Sequence, residues 1–383
     1  MKIKVQFRTI IGNMKHMKKF LIIYYYQLSN TIMKIYYKIA IIVLPLILLS
    51  MIYMTHFLPG HAAAEEKQFN FVAVGDLDCN NNSEETINNT IDKKPEIFLA
   101  LGDIYYDCKP DGFKKVLSSL NDVIYMTLGN HDSWSKFAGL YHLPNDKPYY
   151  SFDKDNVHFL SISTESDLRQ NSAQYNFINT DLDIASQNRS IDWIIVLAHR
   201  PFISSETENI GEKENLKIYP PLFAKYGVDM VIQAHIHNYQ RTFPILLDNF
   251  SNPMIVTKNN TINEGTGVLY ITTGGGGHDL YKFNSTSPYV QTQYSEYGIL
   301  NVDVTGNSLK LKAYTNKDFR TPKDTFTIVK GYNTTKPIPV LKYIYINTSK
   351  GNGVIPTPNG LIEIPFENGT VRIPVKYNYS LSH

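Results

Sequence analysis

The chain is predicted to be an α/β protein in which several strands deliver their carboxyl ends to one common edge, and three observations lead there. From residue 65 onward, short apolar runs alternate with amphipathic stretches, the pattern of strands joined by helices. Five of those runs end in carboxylate, amide or imidazole side chains, and in an open α/β sheet such ends share an edge, so that distant loops converge. Past four glycines at 274–277 the pattern becomes strict alternation, which marks antiparallel strands closing the fold.

The elements follow in order. Candidate strands occupy 69–74, 97–101, 123–128, 157–161, 191–197, 228–233 and 268–272, all dominated by Val, Ile, Leu and Phe. Helices fit 84–92, 112–120, 173–185 and 221–226. Pro221 is acceptable in a first turn, where its missing N–H has no helical partner to lose. Residues 298–305 and 309–314 flank Thr305-Gly306-Asn307 and predict a hairpin, with a closing strand at 326–329. Residues 331–383 hold Pro, Asn and short β-like runs such as 340–346, without repeat or charge cluster, and are read as a small β-rich appendage.

Composition narrows the class of function. With 383 residues, 43% hydrophobic and 19% charged, the chain is neither disordered nor low-complexity. Its two cysteines exclude a disulfide-dense scaffold. The net charge of +2 conceals a split, because the first 64 residues carry eight Lys and Arg and no Asp or Glu. The remainder has 29 basic and 35 acidic side chains, a net of −6. An acidic body has no footprint for a phosphodiester backbone, so nucleic acid is not expected as a partner.

The basic segment reads as targeting. Residues 39–54 are an uncharged run of 16, preceded by Lys34 and Lys38 and followed by His61-Ala62-Ala63-Ala64, a small-residue stretch suited to a signal peptidase. Pro45 interrupts the run, which is shorter than the roughly 20 residues that span a bilayer comfortably. Residues 1–64 are therefore expected to be a leader with a signal peptide or a signal anchor, the long basic stretch before Lys38 suiting an anchor and Met33 offering a second start. Membrane contact is expected only through this segment if it stays uncleaved. Either way Lys and Arg stay inside and the body is exported, to the cell surface or beyond. Ten Asn-x-Ser/Thr acceptors agree with that.

The residues that carry chemistry stand at the ends of the five runs. They read Gly75-Asp76, Gly102-Asp103-Ile104-Tyr105-Tyr106, Gly129-Asn130-His131-Asp132, Val196-Leu197-Ala198-His199 and Ala234-His235-Ile236-His237. Together they supply carboxylates, an amide oxygen, a phenol and imidazoles but no thiolate, a set that suits iron, manganese or zinc. Seven ligands exceed what one ion needs. Two ions about 3.5 to 4 Å apart, sharing a carboxylate, would use them all and would clamp an in-line displacement at phosphorus.

This ordered set resembles the signature of calcineurin-like metallophosphoesterases. Gly102-Asp103-x-x-Tyr106 is similar to the purple acid phosphatase branch in particular, as are His199-Arg200-Pro201-Phe202, 235–242 and Tyr270-Ile271-Thr272-Thr273-Gly274-Gly275. The resemblance covers about 69–330 and implies a four-layer α/β/β/α sandwich within a catalytic domain at 65–330. It implies that Asp76, Tyr106 and His237 hold a ferric ion and that Asn130, His199 and His235 hold a divalent ion (Fe, Zn or Mn), with Asp103 between them. It further implies hydrolysis of small phosphate monoesters by a metal-bound hydroxide, a substrate-facing and proton-donating role for His131, with Asn130 also near the substrate, and an imidazole-orienting role for Asp132. A phosphodiesterase of the same superfamily and a non-catalytic surface protein are the rival readings. Two positions depart from the family: Asp78 and Ala234 stand where glycine is common. Cys79 and Cys108 lie just beyond Asp76 and Tyr106, and in an exported protein they are expected to pair and brace that side of the site.

Overall fold

A computed structural model describes short helical segments between residues 17 and 45, residues 68–330 apart from 105, 107–116, 138–146, 206–216, 248–252 and 264–266, and strands between 342 and 375. The chain divides into two compact units, Met1–Glu66 and Lys67–His383. In the first, the described helical residues expose Leu21, Ile22, Tyr25, Ile41 and Ile42. No helix among the described residues is long and apolar enough to cross a membrane. The predicted apolar run lies largely outside the described residues, which stop at 45.

In the second unit, strands β1 (Gln68–Val74), β2 (Ile97–Ala100) and β3 (Ile124–Met126) run parallel. β4 (Tyr150–Lys154) turns antiparallel onto β5 (Val157–Ile162), which begins a second parallel set with β6 (Trp193–Ala198) and β7 (Met230–Gln233). Next come β8 (Tyr239–Thr242), β9 (Ile245–Leu247), β10 (Pro253–Ile255), β11 (Thr261–Asn263), β12 (Leu269–Thr273) and β13 (Val290–Tyr294). The predicted hairpin is β14 (Gly298–Thr305) and β15 (Ser308–Thr315), with Gly306 at φ 41°, and the closing strand is β16 (Asp324–Val329). One seven-stranded sheet has the order β11-β16-β15-β14-β1-β2-β3 and the other β13-β8-β12-β7-β6-β5-β4.

The two sheets pack face to face. Phe71, Leu99 and Leu300 of the first meet Phe159, Trp193, Ile232 and Ile271 of the second in one buried core, and the rings of Phe71 and Phe159 meet edge to face at 5.4 Å. Outside the first sheet, Ile87 of helix α1 (Asn81–Asp92) joins the cluster that contains Val72 and Phe98. A four-residue helix, α2 (Trp134–Phe137), follows β3. Outside the second sheet, Ile178 and Leu182 of α3 (Ala173–Gln187) and Phe223 of α4 (Tyr219–Lys225) pack with Leu160, Ile194 and Val231. The result is the four-layer α/β/β/α arrangement. Strands covered on both faces need no polar side, which is why the inner ones read as continuous apolar runs.

Departures from the expected elements have local causes. α1 starts three residues early because the Asn80 side chain accepts from the Ser83 amide and caps it. Of the helix expected at 112–120 only the end is described, as a 3-10 turn at Ser118–Leu120; residues 112–116 lie outside the described residues. β4, β8 and β13 were not anticipated because their sequences are largely polar. β8 is nevertheless fully buried, Arg241 included at 1% exposure. C-terminal to these, β17 (Lys342–Thr348) pairs with β20 (Gly369–Val375), and β18 (Gly351–Thr357) with β19 (Gly360–Phe366), all antiparallel.

One histidine away from the strand ends ties a helix to its sheet. His158 of β5 places Nδ1 2.6 Å from Asp153 of β4 and Nε2 2.8 Å from Asp181 of α3. Burial lowers its pKa, but the hydrogen bonds and charges of Asp181 and Asp153 outweigh burial and leave it above the ordinary value. A raised folded value means that protonation stabilises the fold, fully below the unfolded pKa of about 6.5, and that this contribution is lost as pH rises through the folded value. Urea titrations are expected to show wild-type stability falling above neutrality, with a flatter profile in His158→Gln. Parallel profiles for the two proteins would contradict this.

Candidate metal centre

The strand-to-ligand junctions of the sequence place their side chains at the carboxyl ends of β1, β2, β3, β6 and β7, so both sheets contribute to one edge. Asp76, Asp103, Tyr106 and His235 all adopt left-handed backbone, with φ of 59°, 51°, 31° and 66°. Such conformations cost on the order of 1–3 kcal/mol each and persist where the surroundings over-determine them. Gly102, at φ 82°, has a second reason to be glycine: a Cβ there would lie 2.7 Å from His199 Nδ1 and from the Gly129 amide nitrogen. At Ala234, the departure noted above, the methyl group is accommodated because Gly75 opposite it has none.

The predicted residues gather into two groups. In the first, Tyr106 OH is 2.9 Å from His237 Nε2 and 3.3 Å from Asp76 Oδ1, which is itself 3.3 Å from the same imidazole nitrogen. In the second, His199 Nε2 lies 3.2 Å from Asp103 Oδ2, 3.1 Å from Asn130 Oδ1 and 3.2 Å from His235 Nδ1. The groups are linked, since the His235 amide donates to Asp76 Oδ2 at 2.8 Å.

Hydrogen bonds behind the rings decide which nitrogen faces inward. His199 Nδ1 donates to the Leu101 carbonyl at 2.8 Å and His237 Nδ1 to the Asp279 carbonyl at 2.6 Å, leaving Nε2 of each toward the site. Outer-shell carbonyls of this kind fix the tautomer of metal-binding imidazoles. His235 is turned the other way, with Nε2 3.4 Å from Arg200, whose guanidinium is held by Glu165 at 2.7 Å.

Electrostatics favour a cation. Burial opposes ionisation of Asp103, yet the hydrogen bonds from His199 and the His131 amide prevail and hold it at about 2. Burial likewise depresses His199, but Asp103 raises it to about 9, whereas burial and the His199 charge bring His235 down to about 4. Burial first, then Asp76 and Asp103, push the Tyr106 phenol far above its ordinary value. Three N and O atoms crowd around His199 Nε2 in the second group, more than a single proton can satisfy. With no thiolate among them, the donor set fits iron, zinc or manganese, and Asp103, His199 and His235 alone bring one ligand atom each within 4.8 Å of one another.

Three further placements complete the site. Asp132 faces backbone and not an imidazole: its carboxylate accepts from the amides of Asp103 at 2.7 Å, Ile104 at 3.0 Å and Gly129 at 2.9 Å, so it ties the second loop to the third. His131 is exposed at the rim, its ring 4.7 Å from that of Tyr106 and its amide on Asp103 Oδ1. The loop after β12 adds cover, with the Tyr281 ring stacked on His237 at 4.0 Å. Cys79 is disulfide-bonded, and Cys108 lies outside the described residues.

Residues 69–239 match the sequence model of the calcineurin-like phosphoesterase family. Over this segment the chain is similar to calcineurin-like phosphoesterases. Curated relatives include probable inactive purple acid phosphatase 1 of Arabidopsis thaliana, 31% identical over 193 residues, covering 49% of this chain and 31% of the relative. Fe(3+)-Zn(2+) purple acid phosphatase 12 of the same plant is 27% identical over 158 residues, covering 39% and 33%. The chain thus spans about a third of the length of these two relatives. Among solved structures, the purple acid phosphatase PPD1 of yellow lupin superposes with a TM-score of 0.60 at 22% identity, over 70% of this chain and 55% of that one. The superposed part of the chain therefore shares the lupin protein's fold.

Proposed function

We propose that the chain is an exported, binuclear metal-dependent phosphatase acting on small phosphate monoesters. The observation that carries this reading is the pair of converging N/O groups at one sheet edge, linked by the His235 amide donating to the buried Asp76 carboxylate. Asp76, Tyr106 and His237 would hold Fe(III), Asn130, His199 and His235 would hold a divalent ion (Fe, Zn or Mn), and Asp103 would contribute its carboxylate to the centre. When bound, such a pair supplies Lewis acidity and an acidified water at phosphorus. The chain's own contribution is placement. His131 stands exposed beside Tyr106, within reach of a phosphoryl oxygen or of the leaving alkoxide that needs a proton. Asn130 brings its amide to the same rim, and Asp132 keeps the second and third loops in register.

Export is supported by the basic leader, by the acceptor sites and by the disulfide at Cys79, a bond that persists in oxidising compartments. Cys108 is assigned as its partner, since the chain has only these two cysteines. A non-catalytic reading has one specific observation behind it, the relative named as probably inactive; the presence of all seven N/O residues in this chain weighs against it. Metal analysis of the purified full-length protein, with assays on nitrophenyl phosphate and its diester, separates the possibilities. Two metals per chain and preference for the monoester are expected. Activity confined to the diester would reassign the substrate, and a metal-free, inactive protein would leave a binding role.

A further inference from the structure

We propose that Asp78 and His278 form a positioning pair that holds the Tyr106 ring in place, a refinement that rests on the proposed role of Tyr106 as a ligand. Asp78 lies two residues beyond Asp76, on the loop that leaves β1. Its Oδ2 lies 3.1 Å from His278 Nδ1, and the His278 ring stacks on Tyr106 with centroids 3.8 Å apart and planes 21° apart.

Both members are anchored independently of each other. Asp78 donates its amide to Ser83 Oγ at 2.9 Å and accepts the Cys79 amide on Oδ1 at 2.7 Å, which fixes it against the start of α1. His278 donates its amide to the Asp76 carbonyl at 3.1 Å. The preceding Gly277 passes so close to Ser83 that a Cβ would overlap its hydroxyl, which brings the loop down onto α1 and sets His278 over the ring.

Tyr106 needs such a clamp. It lies in left-handed backbone at φ 31°, and its hydroxyl must meet Asp76 Oδ1 and His237 Nε2 together. A flat imidazole against the ring face restricts rotation of the side chain and removes entropy that ligand binding would otherwise have to overcome. The Asp78 carboxylate sets the plane of that imidazole, as outer-shell groups do for ligands they orient. Neither residue touches the reacting atoms in this role.

The test uses the full-length protein labelled with 3-fluorotyrosine, the Tyr106 signal among 27 tyrosines being assigned by its loss in Tyr106→Phe. In chelator-treated protein, His278→Ala is expected to shift that signal through loss of the stacked ring. Asp78→Gly should shift it in the same direction, Asp78→Asn should largely restore it, and the double variant Asp78→Gly/His278→Ala should match His278→Ala alone. In iron-loaded protein, Asp78→Gly and His278→Ala are each expected to weaken iron affinity by about 10- to 100-fold. A Tyr106 signal unmoved by Asp78→Gly, or shifts that add in the double variant, would overturn the pairing. Wild-type protein that takes up no iron would sink the ligand role of Tyr106, while the fluorine shifts would still decide whether the pair holds the ring.

Discussion

Asp103→Ala is expected to strip metal from both halves of the site and to cut nitrophenyl phosphate hydrolysis by between two and nearly four orders of magnitude. The carboxylate is 1% exposed and accepts the His131 amide on one oxygen while the other faces His199 Nε2 at 3.2 Å. Its removal leaves a buried imidazole without the anion that raises it to about 9, and leaves a backbone amide without an acceptor. Breaking one partner out of a buried pair costs about 3–5 kcal/mol, and each 1.36 kcal/mol is about tenfold in rate when it falls on the transition state. Metal analysis beside initial rates reads both effects. A variant that keeps two metals and a rate within tenfold of wild type would remove Asp103 from the centre of the site.

The second large effect concerns the bolt between the sheets. Arg241 of β8 reaches across to Asp324 of β16, Nε to Oδ2 at 2.6 Å and Nη2 to Oδ1 at 2.8 Å, and Tyr239 OH donates to the same carboxylate at 2.9 Å. Asp324→Ala strands a guanidinium that is almost wholly enclosed, and about 3–5 kcal/mol of stability is expected to disappear. Replacing both partners by apolar residues, Arg241→Met with Asp324→Leu, should recover most of that loss, because the cost lies in the unpaired charge. Urea unfolding of the three proteins forms the cycle, and a double variant as unstable as Asp324→Ala would show that the pair is worth more than its desolvation. Because β8 begins two residues after His237, local loosening there is expected to reach the metal centre as well.

The legible parts of the sequence were those governed by local chemistry. A strand covered on both faces is mostly apolar, so β1, β2, β5, β6, β7 and β12 announced themselves, and the largely polar strands β4, β8 and β13 did not. β8 shows why: its arginine is paid for by an aspartate 83 residues away, and no window along the chain contains both. The ligand types were legible for a similar reason, since a glycine followed by Asp or Asn at a strand end is a short-range pattern.

Orientation was another matter. The order of residues said that His199, His235 and His237 approach one edge, yet which nitrogen each presents depends on carbonyls at Leu101 and Asp279 and on Arg200. Asp132 looked like a partner for an imidazole and turned to three backbone amides instead, because the sharp left-handed turn at Asp103 points its own amide and that of Ile104 into the gap. Asp78, legible in the sequence only as a departure from the family pattern, meets His278, 200 residues along the chain. By itself the sequence determined an α/β scaffold with strand ends at a common edge, through its apolar runs, and the kinds of atom gathered there. Only the tertiary structure decided the direction of each lone pair, because hydrogen-bond geometry is set by groups that folding brings together from far apart.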